Sequence, residues 1–247
     1  MRYGHYQFVG CLKFRSRRVI YGGAKKLDKN HKYDIDGGDG MVLPYDFLDS
    51  MAWVVVASAA LIGFAALRLR YKASTDSVEE SGKKLRTGFA SAMGACGLYL
   101  FITGMAIGLM WPFGTPYGAQ YAAPYAGGYW NVLFGGIATL GGLVLLATAA
   151  ALYLNGGLSV VSYFAAIAGI YAVIDAYAIL SLWLGKQPLV AALGYLAFAA
   201  AGILSVPATH SDNIWLRRLF AVFAFLFALA WLVQAVTFTL SHLGVIT

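Results

Sequence analysis

Charge is scarce in this chain, and so are cysteine and histidine. Only 12% of its residues are Asp, Glu, Lys or Arg, about half the share of an ordinary soluble domain, so it cannot furnish a water-exposed surface. Two cysteines exclude a disulfide scaffold. The four histidines are His5, His31, His210 and His242, no Glu follows Glu80, and Cys11 and Cys96 stand alone. The usual ligand sets of zinc, copper and di-iron are therefore missing. No nucleophile elbow, phosphate-binding loop or dinucleotide fingerprint occurs. A pI near 9.4 does not make a nucleic-acid binder, because the basic residues sit at the ends of apolar runs. The reading is no catalytic residue, no metal and no cofactor.

What the chain has is apolar length. Hydrophobic residues make up 60% of it and its mean hydropathy is +0.68, which is the composition of an integral membrane protein. Six apolar runs, at about 47–69, 88–111, 132–154, 158–184, 188–207 and 218–241, each reach the roughly 20 residues that cross a bilayer as a helix. No segment alternates with period two, so a barrel is excluded. The fold class expected is all-α, a polytopic transmembrane helical bundle of six spans. Asn155-Gly156-Gly157 and Gly185-Lys186-Gln187 are short enough to make their flanking helices antiparallel hairpins. Ser211 or Asp212 is expected to cap the sixth span.

Residues 1–40 read differently. Arg2, Lys13, Arg15, Arg17, Arg18, Lys25, Lys26, Lys29 and Lys32 are interleaved with aromatics, and no run there could span lipid. Two readings stand: upstream sequence joined ahead of a true start at Met41, or a solvated or membrane-surface tail. Residues 41–247 form the six-helix domain. Arg68, Arg70, Lys72, Lys83, Lys84 and Arg86 follow span one, and Arg217 and Arg218 precede span six, whereas the loops after spans two and four carry only Lys186. The positive-inside rule then makes loops 70–87 and 208–217 cytoplasmic and places 112–131 outside a cell membrane. The basic tail contradicts this orientation.

Small residues recur inside the spans. Gly104 and Gly108 form a G-x-x-x-G pair in span two, and span three contains Gly135, Gly136, Gly141 and Gly142, a pattern that lets helix backbones approach where lipid supplies no hydrophobic drive. The second loop is the most individual stretch: Trp111 leads to Tyr117, Tyr121, Tyr125 and Tyr129 at intervals of four, then Trp130. Pro116, Pro124 and Gly127-Gly128 break any regular helix there. The plain reading is an aromatic belt at headgroup level; the sharper one is a docking surface for a quinone, a lipid or a neighbouring subunit.

Thr103-Gly104 before Trp111-Pro112, Tyr129-Trp130-Asn131-Val132-Leu133-Phe134-Gly135 after it, and the opening Asp46-Phe47-Leu48-Asp49 carry a resemblance. Over about Met41 to Tyr153 the chain resembles an uncharacterised, mainly archaeal family of small multi-spanning membrane proteins, a domain-of-unknown-function family. The resemblance implies a membrane fold in a prokaryotic cell membrane and brings no activity with it. The chain departs from the pattern by a longer Tyr/Ala/Gly insertion in the second loop and by its basic tail.

One formal charge lies well inside a span. Asp175 would cost about 2.5–3.5 kcal/mol as an ion in hydrocarbon even on a lenient scale, so it is expected to hold a proton or to face a polar interior with a partner. Tyr171 is one turn before it, and Gln234, Thr103 and Thr139 are placed at a matching depth in spans six, two and three. The plain reading makes Asp175 packing glue between helices. Asp46 and Asp49, three apart at the start of span one, favour a helix N-terminus.

Three functional classes follow. The poverty of intramembrane polar groups favours a non-catalytic subunit that binds lipid and a membrane-protein partner or a second copy of itself. The alternative is a proton- or cation-coupled carrier or channel for a small solute, using Asp175. The third is a quinone- or lipid-interacting redox component.

Overall fold

The computed structural model describes residues 47–69, 76–110, 131–184 and 187–242. The chain divides between Pro44 and Tyr45 into two units, and the described residues belong to the second. They form six long helices: α1 (Phe47–Arg68), α2 (Asp76–Met110), α3 (Ile137–Tyr153), α4 (Ser159–Ser181), α5 (Pro188–His210) and α6 (Ile214–His242). A single π-helical stretch, Asn131–Gly136, runs directly into α3. Each of the six contains a stretch long and apolar enough to cross a bilayer. No more than 44% of any such stretch is buried inside the protein, so most of each helix turns Leu, Ile, Val and Phe outward. Leu98, Ile102, Ile167, Ile174 and Leu229 are all more than half exposed. That surface is stable against lipid chains and not against water. The chain is a multi-pass, all-helical membrane protein.

Four boundaries differ from the sequence reading by three residues or more. The second span was expected from 88, yet α2 begins at Asp76, so much of the expected loop 70–87 is helix. Apolar length ends where charge begins, but the helix does not, because charged residues such as Glu and Lys are themselves good helix formers. The expected loop 208–217 contracts to Ser211-Asp212-Asn213, because α5 continues through Pro207 to His210 and α6 starts at Ile214. Asn213, rather than Ser211 or Asp212, caps α6: its Oδ1 accepts the Trp215 N–H at 2.9 Å, while Ser211 Oγ accepts the N–H of Asn213 itself. The fourth span ends at Ser181, three residues before the expected 184. Trp183 there adopts a left-handed backbone at φ 51°, as Asn155 does at φ 54° after α3. In each case an N–H one residue further on turns back to a carbonyl of the last helical turn, a left-handed helix stop.

Every helix packs on its neighbours in the chain, and α6 returns to α1, so the six close into a ring in sequence order. The α2–α3, α4–α5 and α1–α6 seams are the broadest. Glycine makes the first two possible. A methyl group on Gly97 would lie 2.8 Å from Leu145 Cβ, and one on Gly169 would lie 2.8 Å from the Ala199 carbonyl. In the α1–α6 seam the Phe225 ring lies over Gly63 and meets Phe64 edge-on. There Thr239 accepts the Trp53 indole N–H at 3.1 Å and donates to Asp49 Oδ1 at 2.6 Å, tying the start of α1 to the end of α6. We call the end of the ring where α1 begins the top and the other end the base.

Candidate functional site

The ring is not filled. A central cavity of about 250 Å3 is lined by side chains from all six helices. Met51, Phe134, Tyr195 and Trp231 border it toward the top, and Leu69, Thr209, Asp212 and Arg217 toward the base. Between these ends its wall is Ala, Val, Leu, Ile and Phe with a few hydroxyls, and those hydroxyl protons are already committed. Ser58 donates to Val54 O at 2.6 Å, Thr148 to Val144 O at 2.7 Å, Ser162 to Ser159 O at 2.6 Å, and Ser205 to Gly202 O at 2.6 Å. The interior therefore offers shape and apolar contact, while the ionic side chains in the lining, Asp212 and Arg217, stand at the base. Arg217 also reaches the last turn of α1, donating to Leu69 O at 3.4 Å.

A polar knot lies behind the upper wall. The π-helical stretch brings its carbonyls toward α4 and α5, where Tyr171 donates to Val132 O at 3.3 Å and Tyr195 to Leu133 O at 2.9 Å. Such π turns place backbone groups out of helical register and recur at functional sites. Asp175 is within electrostatic reach of both phenols. It is only 4% exposed, and its Oδ2 is fully buried with no hydrogen-bond partner.

Tyr171 stands one turn before Asp175 on α4 and gives its hydroxyl proton to Val132 O, while the other expected members lie on other helices. Thr103 and Thr139 return their hydroxyls to their own helices, to Tyr99 O at 2.8 Å and Gly135 O at 2.7 Å. Ring contacts of Phe198 with Phe227 and of Tyr195 with Trp231 fix the α5–α6 register, and this puts Gln234 about one turn nearer the top than Tyr195. Its Nε2 is also buried without a partner. None of Asp175, Gln234, Thr103 and Thr139 borders the central cavity. Gly104 packs against α3, where an added methyl would lie 2.5 Å from the Thr139 nitrogen. Gly108 meets nothing within 4 Å at its own Cβ position and faces, with Met105, Thr139 and Tyr171, a second hollow of about 340 Å3 between α2, α3 and α4. Trp111, Tyr117, Tyr121, Tyr125, Tyr129 and Trp130 lie outside the described residues.

Sequence reasoning missed Tyr195. The sequence held no signal for it: the α4–α5 approach, with Gly169 against the Ala199 carbonyl and Gly202 against the Ala165 carbonyl, sets the register that brings Tyr195 within about one turn of the Asp175 level. Among the described residues no three His, Cys, Asp or Glu side chains converge; the knot offers one carboxylate, phenol oxygens and backbone carbonyls instead.

A family model described as a protein of unknown function (DUF981) matches residues 41–244. The match starts at Met41 and runs through all six helices, well past the Tyr153 limit of the motifs read from the sequence. Comparison with the curated proteins and with the solved structures gave no match. On the extent of that one match, the chain belongs to the DUF981 family.

Proposed function

We propose that this is a non-catalytic protein of the cell membrane that holds an amphipathic, lipid-class molecule inside its helix ring. The apolar chain of the guest lies in the central cavity and its polar head at the base, beside Thr209, Asp212 and Arg217. The observation that carries this reading is the cavity itself. Walls that face unfilled space forfeit dispersion contacts, so about 250 Å3 of apolar-lined space favours an apolar guest. Water is a poor filler, because the hydroxyls along the wall donate to backbone carbonyls and a buried water needs two to four polar partners. Roughly 150 Å3 of apolar space already admits a benzene-sized guest. A flexible hydrocarbon chain supplies the missing contacts and leaves its head where the ionic side chains are.

The same reading places the base in the cytoplasm. Arg68, Lys83, Lys84, Arg86, Arg217 and Arg218 gather there, as basic residues do on the cytoplasmic face.

The test is extraction and mass spectrometry of the purified full-length protein. Gly141 lines the cavity, and a side chain there would meet nothing within 4 Å at Cβ, so Gly141→Phe fills the space without pressing on a helix. The wild type should release an amphiphile in near-equimolar amount, and Gly141→Phe should lose it while remaining monodisperse. A wild type that carries no bound molecule after mild detergent purification, with a melting temperature unaffected by added lipid, overturns the reading.

A further inference from the structure

The polar knot at the top meets the cavity wall only through Tyr195 and is unbalanced in a particular way. Asp175 is buried among acceptors. The two phenols near it have given their protons to Val132 and Leu133 carbonyls, so each presents oxygen lone pairs to the remaining space. The Thr103 and Thr139 hydroxyls are likewise engaged with their own helices. No Lys, Arg or His among the described residues acts on Asp175. A buried carboxyl oxygen without a partner costs free energy wherever it occurs, and the two phenols, their protons already given to carbonyls, do not supply the missing donor.

From this excess of oxygen acceptors we propose that Asp175, the phenol oxygens of Tyr171 and Tyr195 and the π-turn carbonyls of Val132 and Leu133 form a binding site for a dehydrated monovalent alkali cation. All the ligands are hard oxygens, which suit such ions and not soft metals. One carboxylate sets the charge: a single positive ion makes the site neutral, whereas a divalent ion would leave net charge in hydrocarbon. Irregular helix backbone that turns carbonyls toward an ion is an established way of building such sites within membranes. Tyr195 belongs to both the knot and the cavity wall, and its ring lies 6.4 Å from Trp231, so indole fluorescence reports on occupancy.

The experiment uses the full-length protein in nanodiscs, with sodium or potassium chloride replacing choline chloride at constant ionic strength and pH. Thermal unfolding and tryptophan emission are followed together. Sodium or potassium should raise the melting temperature saturably, by about 4 °C at tenfold over half-saturation, and choline should not. Asp175→Asn carries its own N–H donors, so it should lose the cation response and melt in choline at or above the wild type. Tyr195→Phe keeps the carboxylate and should raise the half-saturating concentration several-fold. A wild type that melts identically in all three salts overturns the proposal, since a carboxyl that merely holds a proton behaves that way. A cation response surviving in Asp175→Asn overturns it equally. Should Asp175→Asn fail to fold, the salt series on wild type and Tyr195→Phe decides alone: without a sodium- or potassium-specific rise, the site does not exist.

Discussion

Gly142 of α3 sits against the backbone of Phe101 on α2, so close that a methyl group in place of its hydrogen would lie 2.5 Å from the Phe101 nitrogen. Its neighbour Gly141 faces the cavity and meets nothing. The two adjacent glycines should therefore respond oppositely. Gly142→Ala should destabilise by about 1–3 kcal/mol, since backbone rather than a flexible side chain must give way. Gly141→Ala should be neutral or stabilising by up to about 1 kcal/mol, because alanine is the better helix former. Melting temperatures of the two variants in one detergent check the pair, and equal losses would contradict the packing described.

Tyr195 and Tyr171 hold the same π-helical stretch, but unequally. The Tyr195 bond to Leu133 is 2.9 Å long and its residue is 3% exposed, whereas the Tyr171 bond to Val132 is 3.3 Å long and solvent- or lipid-accessible. Side-chain hydrogen bonds within membranes average about 0.6 kcal/mol and reach about 1.7. Tyr195→Phe is expected near the upper value, because it strands a buried carbonyl, and Tyr171→Phe near zero. Unfolding titrations of both phenylalanine variants in the same micelle give the comparison.

The proposed sidedness is checked by single cysteines in a background where Cys11 and Cys96 are replaced by serine. Gly156→Cys and Ser211→Cys at the base should resist a membrane-impermeant maleimide in intact cells and react after permeabilisation. Leu182→Cys, at the opposite end, should react in intact cells. The reverse pattern would invert the orientation and leave the ring unchanged.

The helices were legible because lipid demands uninterrupted apolar length, and nothing else in the chain mimics it. Boundaries were less so: charge marks where hydrocarbon ends and not where a helix stops, which is why α2 extends back to Asp76. Gly141 and Gly142 show the limit for the site. Both read as small packing residues, yet one face of α3 meets backbone and the other meets empty space, a difference set by helix rotation rather than by residue type. Asp175 announced itself by its charge. Tyr195 did not, since a tyrosine in the upper half of a span resembles any interfacial aromatic until the α4–α5 register places it. A wall of alanine, valine and leucine reads the same whether it closes on a neighbour or on a void.

The cyclic order of the helices also bears on how the molecule is made. Five of its six seams join segments consecutive in the chain, so each newly inserted helix finds its companion already waiting, and little search is required. The sixth seam, α1 with α6, is the clasp. Until the last helix arrives, the first has one flank open to lipid and the chamber lacks its sixth wall. For the guest proposed above, synthesis itself therefore supplies a sideways entrance, open until the clasp shuts.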